Sequence, residues 1–142
     1  MIKPAASQMS LSAELDDNAH EVLVSVIVPV YNEAPVLDAF HARLSSTLNQ
    51  LEGMQSEVLY IDDGSTDESF AKLEAIHSHD VRVGLVRLSR NFGKESALSA
   101  GLDLARGQAV VVIDADLQDP PELIIDMMNV WREGAEDRKS VV

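Results

Sequence analysis

Cysteine, aromatic residues and long apolar runs are absent or scarce in this sequence. There is no Cys among its 142 residues, which excludes disulfide frameworks, thiolate zinc sites and cysteine nucleophiles. Any metal would therefore bind oxygen or imidazole. The longest charge-free stretch, residues 22–32, is interrupted by Ser25 and Pro29 and is shorter than the roughly 18 to 20 apolar residues of a membrane span. We therefore expect a soluble chain without a transmembrane segment.

Basic residues are also few. The chain has 11 Lys and Arg against 24 Asp and Glu, and its net charge is −13. A protein that holds nucleic acid through the phosphates needs an excess of basic side chains, and this sequence contains no basic run. The composition argues against nucleic acid and against an anionic membrane surface as partners.

Length and composition together are those of one ordinary folded domain. With 46% hydrophobic and 25% charged residues, the chain is long enough to bury a core and is not typical of a disordered region. Residues 1–20 have neither the basic start nor the apolar centre of a secretory signal. We interpret them as a flexible polar leader that precedes a domain at residues 21–136.

Short β-branched runs alternate with amphipathic helical patterns within that domain. This order is typical of an α/β fold, a parallel sheet with helices on both faces. The strands are predicted at residues 22–30, 57–62, 81–88 and 109–114. Asn32 is predicted to cap the first helix, Ser65 or Thr66 to cap the second, and Gly107 to end the third. Polar residues gather where strands end, so we expect three acidic loops to converge at one edge of the sheet.

The sequence Asp114-Ala115-Asp116 follows the predicted fourth strand. Two carboxylates held close together at the mouth of a low-dielectric sheet repel each other, so one must be protonated or a cation must lie between them. A hard divalent cation such as Mg²⁺ or Mn²⁺ suits oxygen ligands and leaves positions open for a phosphate. The alternative is a pair of loop aspartates that cap the following helix. Acidic residues at the other strand ends favour the metal site.

Those other strand ends carry four further candidate residues. Asp62 and Asp63 precede a glycine, and their carboxylates can accept hydrogen bonds from a ribose or a base edge, although an ordinary turn is the alternative. Glu33 is either part of the site or a first-turn acid favoured by the helix dipole. Lys94, in a glycine-containing loop, is either a ligand for a diphosphate or a solvated lysine.

Four segments carry a resemblance to a known family. They are residues 26–33 (VIVPVYNE), 62–67 (DDGSTD), 91–94 (NFGK) and 114–122 (DADLQDPPE). In this order they resemble the signature of family 2 glycosyltransferases, and most closely the branch of dolichol-phosphate mannose synthases and bactoprenol (undecaprenyl-phosphate) glucosyltransferases. The resemblance extends from about residue 24 to residue 131, and the last segment is especially specific to this branch.

The resemblance implies a GT-A fold, a Rossmann-like and mostly parallel sheet, whose amino-terminal half binds a nucleoside-diphosphate sugar. To the sugar nucleotide it assigns Pro29, Tyr31, Glu33, Ile61 and Asp63. To a Mg²⁺ or Mn²⁺ ion on the diphosphate it assigns Asp114, Asp116 and Gln118, and the two aspartates are the predicted catalytic residues. The predicted sugar-nucleotide site is completed by Asp62, Lys94, Asp114, Ala115 and Asp116.

The resemblance also implies an activity. Members of this branch transfer a hexose from a sugar nucleotide of the UDP-glucose or GDP-mannose type to a polyprenyl-phosphate lipid, with a metal and with inversion at the anomeric carbon. The acceptor phosphate is already an anionic nucleophile, so a strong general base is less necessary. The implied process is cell-envelope glycan biosynthesis, with membrane association at the cytoplasmic side in full-length relatives.

The last residues depart from the pattern of the family. Relatives continue after the last helix into a further strand and an acceptor-binding half, whereas residues 137–142 read DRKSVV. We interpret these residues as an atypical, truncated tail that follows the donor-binding half of a GT-A domain. The alternative function is therefore a catalytically inactive fragment that binds a nucleotide sugar.

Other enzyme and signalling classes with acidic strand ends fit this sequence less well. A phosphatase of the haloacid dehalogenase type carries its D-x-D pair on the first strand, whereas here the pair follows the fourth. A receiver module needs a phospho-acceptor Asp after its third strand, and residues 88–90 (LSR) contain none. Dinucleotide oxidoreductases and P-loop enzymes need glycine patterns that this sequence lacks.

Overall fold

The computed structural model describes residues 22–116 and 118–134 and the backbone of residues 140–141. In this part of the chain, parallel strands alternate with helices as the sequence predicts. The strands are β1 (Val22–Val30), β2 (Met54–Asp62), β3 (Val83–Arg87), β4 (Ala109–Val112) and β5 (Ser140–Val141). The helices are α1 (Ala34–Asn49), α2 (Ser69–His79), α3 (Lys94–Leu104) and α4 (Leu123–Gly134). The predicted leader and most of the predicted tail lie outside the described residues.

The order of the strands creates a switch point beside β1. The strands pair in parallel in the order β3-β2-β1-β4-β5. The chain therefore builds outward from β1 through β2 and β3, and then continues on the other side of β1 with β4. Open α/β sheets bind ligands at the carboxyl ends of the strands on either side of such a switch. In this fold those are the ends of β1 and β4.

Apolar side chains on the two faces of the sheet form two cores. Alternate residues of β1, from Val24 to Val30, face the larger core, in which α1, α2 and α4 contribute Phe40, Leu73 and Met128. Ile27 faces the smaller core with Leu59 and Ile61 of β2 and with Ala97 of α3. A strand buried on both faces needs a nearly continuous apolar sequence, which explains why β1 is predicted with its observed bounds.

Small residues let α3 approach the sheet closely, as the sequence predicts. Ala97 and Gly101 are buried on its inner side. A Cβ atom at Gly101 would lie only 2.5 Å from Cγ2 of Ile27. Glycine is therefore required here by the distance between helix and strand.

Three predicted helix boundaries are wrong. Asn32 does not cap α1, because its backbone has a φ of +54° and its side-chain oxygen accepts hydrogen bonds from the Thr66 and Asp67 amides instead. Neither Ser65 nor Thr66 caps α2, which begins at Ser69 after Glu68. Gly107 does not end α3, because this helix stops at Leu104. The Gly107 N–H instead donates a hydrogen bond to Oγ of Ser25.

Several strand bounds also differ from the prediction. β2 begins at Met54 rather than residue 57, because Met54 pairs with the start of β1 at Val22. β3 is shorter than predicted, and β4 ends at Val112, two residues before Asp114. The short strand β5 is not predicted, and it pairs with Ala109 and Val110 of β4. None of the helices in the described ranges has the length and apolar character needed to cross a membrane.

Candidate functional site

A cavity of about 190 Å³ opens at the switch point. It forms where the loops after β1, β2 and β4 meet the first residue of α3. Its lining residues are Pro29, Val30, Tyr31, Glu33, Asp63, Lys94, Asp114, Ala115 and Asp116. The structure thus brings together the acidic loops that the sequence predicts at this edge of the sheet.

Hydrogen bonds connect the loop after β1 to the loop after β2. The backbone N–H of Asn32 donates to Oγ of Ser65 at 2.9 Å, and that of Glu33 donates to Oγ of Ser69 at 2.8 Å. In return, the Thr66 amide donates to Oδ1 of Asn32 at 2.8 Å. Because Asn32 and Glu33 are anchored in this way, the side chains of Tyr31 and Glu33 that line the cavity project from a fixed backbone.

Asp63 joins the loop after β2 to the start of α3. Its carboxylate accepts hydrogen bonds from the backbone N–H groups of Phe92 at 2.9 Å and Gly93 at 3.1 Å, and from Nδ2 of Asn91 at 3.3 Å. Gly64, with a φ of +74°, lets the backbone of Arg90 and Asn91 pass in direct contact. Asp63 therefore both lines the cavity and fixes the position from which Lys94 projects.

Lys94 and Asp114 form an ion pair across the cavity. The Lys94 Nζ atom lies 2.9 Å from Oδ1 and 3.0 Å from Oδ2 of Asp114. The Lys94 side chain is 57% exposed and that of Asp114 is 38% exposed. Among the described residues that line this cavity, Lys94 carries the single positive charge.

The remaining carboxylates act on one another. Burial, together with the negative charges of Asp116, Asp114 and Asp67, raises the pKa of Glu33 above its ordinary value. Oδ1 of Asp116 accepts a hydrogen bond of 3.0 Å from the Gln118 backbone N–H, which orients this carboxylate. The cavity therefore holds more negative charge than Lys94 balances, and a cation would relieve the repulsion.

The carboxylates of the cavity suit a divalent cation that also keeps ligands from outside the protein, such as waters and phosphate oxygens. Within residues 22–116 and 118–134, no group of three His, Asp or Glu side chains is arranged to enclose a metal. Mg²⁺ usually keeps several waters and binds one or two carboxylates together with substrate phosphates. Asp114 and Asp116 beside an open cavity fit that mode of binding.

Three of the predicted site residues do not line the cavity. Ile61 is fully buried in the smaller core. Asp62 is also fully buried, and its Oδ1 atom accepts a hydrogen bond from the Ser65 amide. Its Oδ2 atom accepts no hydrogen bond from the described residues and lies 3.6 Å from Nε of Arg87. The side chain of Gln118 is exposed, and this residue meets the site through its backbone.

Ser69 and Asn91 bind the backbone of neighbouring loops, and the sequence predicts neither role. Ser69 belongs to no recognised segment, whereas Asn91 belongs to the segment 91–94 but carries no predicted contact. Asn32 is recognised only as a cap, although Asn tolerates the left-handed conformation that it adopts here. Its preference for that conformation is the one sequence signal that favours a tight turn at this position.

The described surface also has cavities away from the switch point. One, of about 630 Å³, shares Tyr31 with the switch-point cavity and extends along residues 64–66 and 87–91. Another is an open groove of about 800 Å³ between α1 and α2. That groove contains none of the strand-end residues, so its size does not make it the candidate site.

Comparison with known proteins identifies relatives that are more than twice as long as this chain. The chain is 45% identical over 118 residues to an uncharacterized glycosyltransferase, YkcC, of Bacillus subtilis, covering 83% of this chain and 36% of the relative. It is 40% identical over 113 residues to the bactoprenol glucosyl transferase of Shigella phage SfV, covering 80% and 36%. The chain thus spans about a third of the length of the curated relatives it matches.

The fold also matches solved structures. The mannosyltransferase PcManGT from Pyrobaculum calidifontis, solved in complex with GDP-Man and Mn²⁺, superimposes with a TM-score of 0.67 at 28% identity, over 80% of this chain and 33% of that one. The predicted GT-A fold is confirmed. Residues 25–137 match the family described as "Glycosyl transferase family 2", and the chain belongs to this family.

Proposed function

We propose that this chain forms the donor-binding part of a glycosyltransferase that moves a hexose from a nucleoside-diphosphate sugar to a polyprenyl phosphate. The observation that carries the proposal is the switch-point cavity, where Glu33, Asp114 and Asp116 meet beside Lys94. The name of the Shigella phage relative supports a bactoprenol acceptor and a glucosyl group. The GDP-Man and Mn²⁺ bound by PcManGT support the donor class and the metal.

In this proposal Asp114 and Asp116 hold a Mg²⁺ or Mn²⁺ ion. When bound there, the cation would neutralise charge that develops on the leaving diphosphate. Gln118 orients Asp116 through its backbone N–H, and its exposed side chain is the proposed third protein ligand. These assignments keep the catalytic role with the two aspartates.

The sugar nucleotide would lie across Tyr31. The sugar and diphosphate would occupy the switch-point cavity beside Pro29 and Ala115, within reach of Lys94. The base and ribose would extend into the larger cavity on the other side of Tyr31, beside residues 64–66 and 87–91. The residues Ile61 and Asp62 are buried, so they would pack beneath the two cavities rather than contact the ligand.

The proposed reaction is one displacement with inversion. An oxygen of the lipid phosphate forms a bond to the anomeric carbon, and the bond from that carbon to the donor diphosphate breaks. The nucleoside diphosphate leaves with the electron pair. Because the attacking oxygen is already anionic, none of the cavity carboxylates has to act as a strong base, and their role is to position the donor. The lipid acceptor would associate the whole enzyme with a membrane.

The second candidate function is binding of the sugar nucleotide without transfer. It is favoured by the observation that the matched region makes up only 36% of the length of these relatives. The two candidates share the donor site and differ in turnover. Incubation of the chain with UDP-glucose or GDP-mannose, Mn²⁺ and a polyprenyl phosphate distinguishes them, because glycosyl lipid forms only in the first case.

Thermal unfolding with nucleotides tests the donor site itself. We expect UDP or GDP, or one of their hexose conjugates, to stabilise the chain in the presence of Mn²⁺, by about 2.7 kcal/mol at a hundred times the dissociation constant. Asp116→Ala should abolish this stabilisation. Asp103→Ala, which removes an exposed carboxylate of α3 outside the cavity, is the matched control. Absence of any shift with all these ligands would contradict the proposal.

A further inference from the structure

The Lys94 ammonium is paired with the Asp114 carboxylate, which is also a ligand of the proposed metal site. The Lys94 ammonium lies 2.9 and 3.0 Å from the two carboxylate oxygens of Asp114, so it covers both of them. A divalent cation at the same carboxylate would lie close to the ammonium, and the two positive charges would repel each other. The cation and Lys94 therefore compete for Asp114.

The backbone holds Lys94 in place for this competition. Lys94 is the first residue of α3, and the amides of Phe92 and Gly93 directly before it are bound by the Asp63 carboxylate. The side chain thus starts from a fixed point, while the side chain as a whole is 57% exposed. Exposed ion pairs of this kind are weak, so a ligand of higher charge can separate them.

We propose that Lys94 is a built-in counter-ion that occupies Asp114 until a diphosphate draws it away, so that nucleotide and divalent cation bind with positive coupling. This inference rests on the proposed function, because it assigns the cavity to both ligands. A diphosphate in the cavity offers Lys94 a more highly charged partner than Asp114. Once the ammonium moves to the diphosphate, both oxygens of Asp114 are open to the cation.

A different arrangement would leave Lys94 as a simple diphosphate ligand without influence on the metal. The two possibilities differ in what happens without nucleotide. If Lys94 competes for Asp114, its removal strengthens metal binding to the nucleotide-free chain. If it only binds phosphate, its removal leaves that affinity unchanged.

Mn²⁺ binding to the full chain, measured without nucleotide from the EPR signal of the free ion, tests the competition. We expect Lys94→Met to bind Mn²⁺ about two- to fivefold more tightly than the unmodified chain, which is the range for loss of an exposed ion pair. Lys72→Met is the matched control, since Lys72 forms an exposed pair with Asp38 at 3.0 Å on the surface of α1 and α2. It removes the same charge and should leave Mn²⁺ affinity nearly unchanged. Equal or weaker Mn²⁺ binding by Lys94→Met would overturn the proposal.

The same titration with saturating UDP and with saturating GDP tests the coupling. A nucleotide that binds should tighten Mn²⁺ binding in the unmodified chain, and Mn²⁺ should tighten nucleotide binding by the same factor. In Lys94→Met this factor should be smaller, and an unchanged factor would overturn the proposal. If neither nucleotide binds the unmodified chain, the proposed function fails, while the nucleotide-free comparison still decides whether Lys94 competes for Asp114.

Discussion

His41 lies between two polar groups beneath the groove of α1 and α2. Its Nδ1 atom is 2.7 Å from the Tyr60 hydroxyl oxygen, and its Nε2 atom is 3.0 Å from Oδ2 of Asp80. Burial raises the pKa of Tyr60, so the hydroxyl stays protonated and donates to Nδ1, while Nε2–H donates to Asp80. Burial would raise the pKa of Asp80, but hydrogen bonds from Arg82 and His41 outweigh it and lower that pKa to about 2.

This arrangement predicts a loss of stability in weak acid. Burial lowers the pKa of His41 below its ordinary value of 6.5, although the hydrogen bond to Asp80 acts in the opposite direction. The unfolded chain therefore takes up a proton at a higher pH than the folded chain. The stability contributed by neutral His41 is present above about pH 6.5 and is lost as pH falls from there toward the folded pKa.

Urea unfolding at a series of pH values between about 7.5 and 5 measures this loss. We expect the unfolding free energy of His41→Gln to depend less on pH over this range than that of the unmodified chain. His79→Gln, which changes an exposed histidine near the end of α2, should keep the original dependence. An identical pH dependence in His41→Gln and the unmodified chain would show that His41 is not the group responsible.

Asn32 illustrates what a sequence reveals about a single residue. Its type and its place after β1 predict a cap of α1, and this prediction is wrong. The partners of the Asn32 side chain, the Thr66 and Asp67 amides, lie in another loop. Local patterns describe neighbours along the chain, and they carry no information about which distant amide a side-chain oxygen meets.

At the scale of elements, the distance between α3 and β1 depends on Gly101. Its missing side chain leaves room for Ile27, which a Cβ atom would approach to 2.5 Å at Cγ2. Gly101→Ala should therefore destabilise the chain by about 1 to 3 kcal/mol, the usual effect of overpacking a core. This net loss is expected even though alanine is the better helix former by about 1 kcal/mol.

Urea denaturation compares this variant with a glycine in open space. A Cβ atom at Gly134, at the end of α4, would meet nothing within 4 Å, so Gly134→Ala should leave the stability nearly unchanged or raise it slightly. Circular dichroism should show native helix content for both variants before denaturation. A Gly101→Ala chain as stable as Gly134→Ala would mean that α3 can move away from the sheet at little cost.

The elements differ in how far sequence alone predicts them. The apolar run of β1 indicates both ends of this strand, because the strand is central and its own residues fill both cores. The ends of β2 and β4 are set by their pairing with β1, at Met54 opposite Val22 and at Val112 opposite Ile27. Pairing of this kind depends on a neighbouring strand, so residue patterns place these ends only approximately.

At the scale of the whole molecule, the fold explains why the sequence predicts much of the site. Parallel strands end at the same edge of the sheet, so acidic residues after β1, β2 and β4 must approach one another wherever these strands are neighbours. What this rule does not give is which charges are already paired. Asp63 accepts hydrogen bonds from three donors, and Asp114 is paired with Lys94. The composition does not distinguish such paired carboxylates from unpaired ones.

The net charge of −13 leads to a last prediction, on the dependence of nucleotide binding on a divalent cation. In the cavity, Glu33, Asp114 and Asp116 would face a diphosphate, and among the described lining residues Lys94 alone would offset their charge. Sodium chloride at about 0.15 M screens charges beyond roughly 8 Å, whereas a diphosphate in this cavity would approach the carboxylates more closely than that.

We therefore expect UDP and GDP to leave the melting temperature unchanged in EDTA, and added sodium chloride should not restore binding. Mg²⁺ or Mn²⁺ at the same ionic strength should restore it. Calorimetry that finds equal nucleotide affinity with EDTA and with Mn²⁺ would show that the acidic cavity tolerates the diphosphate unaided.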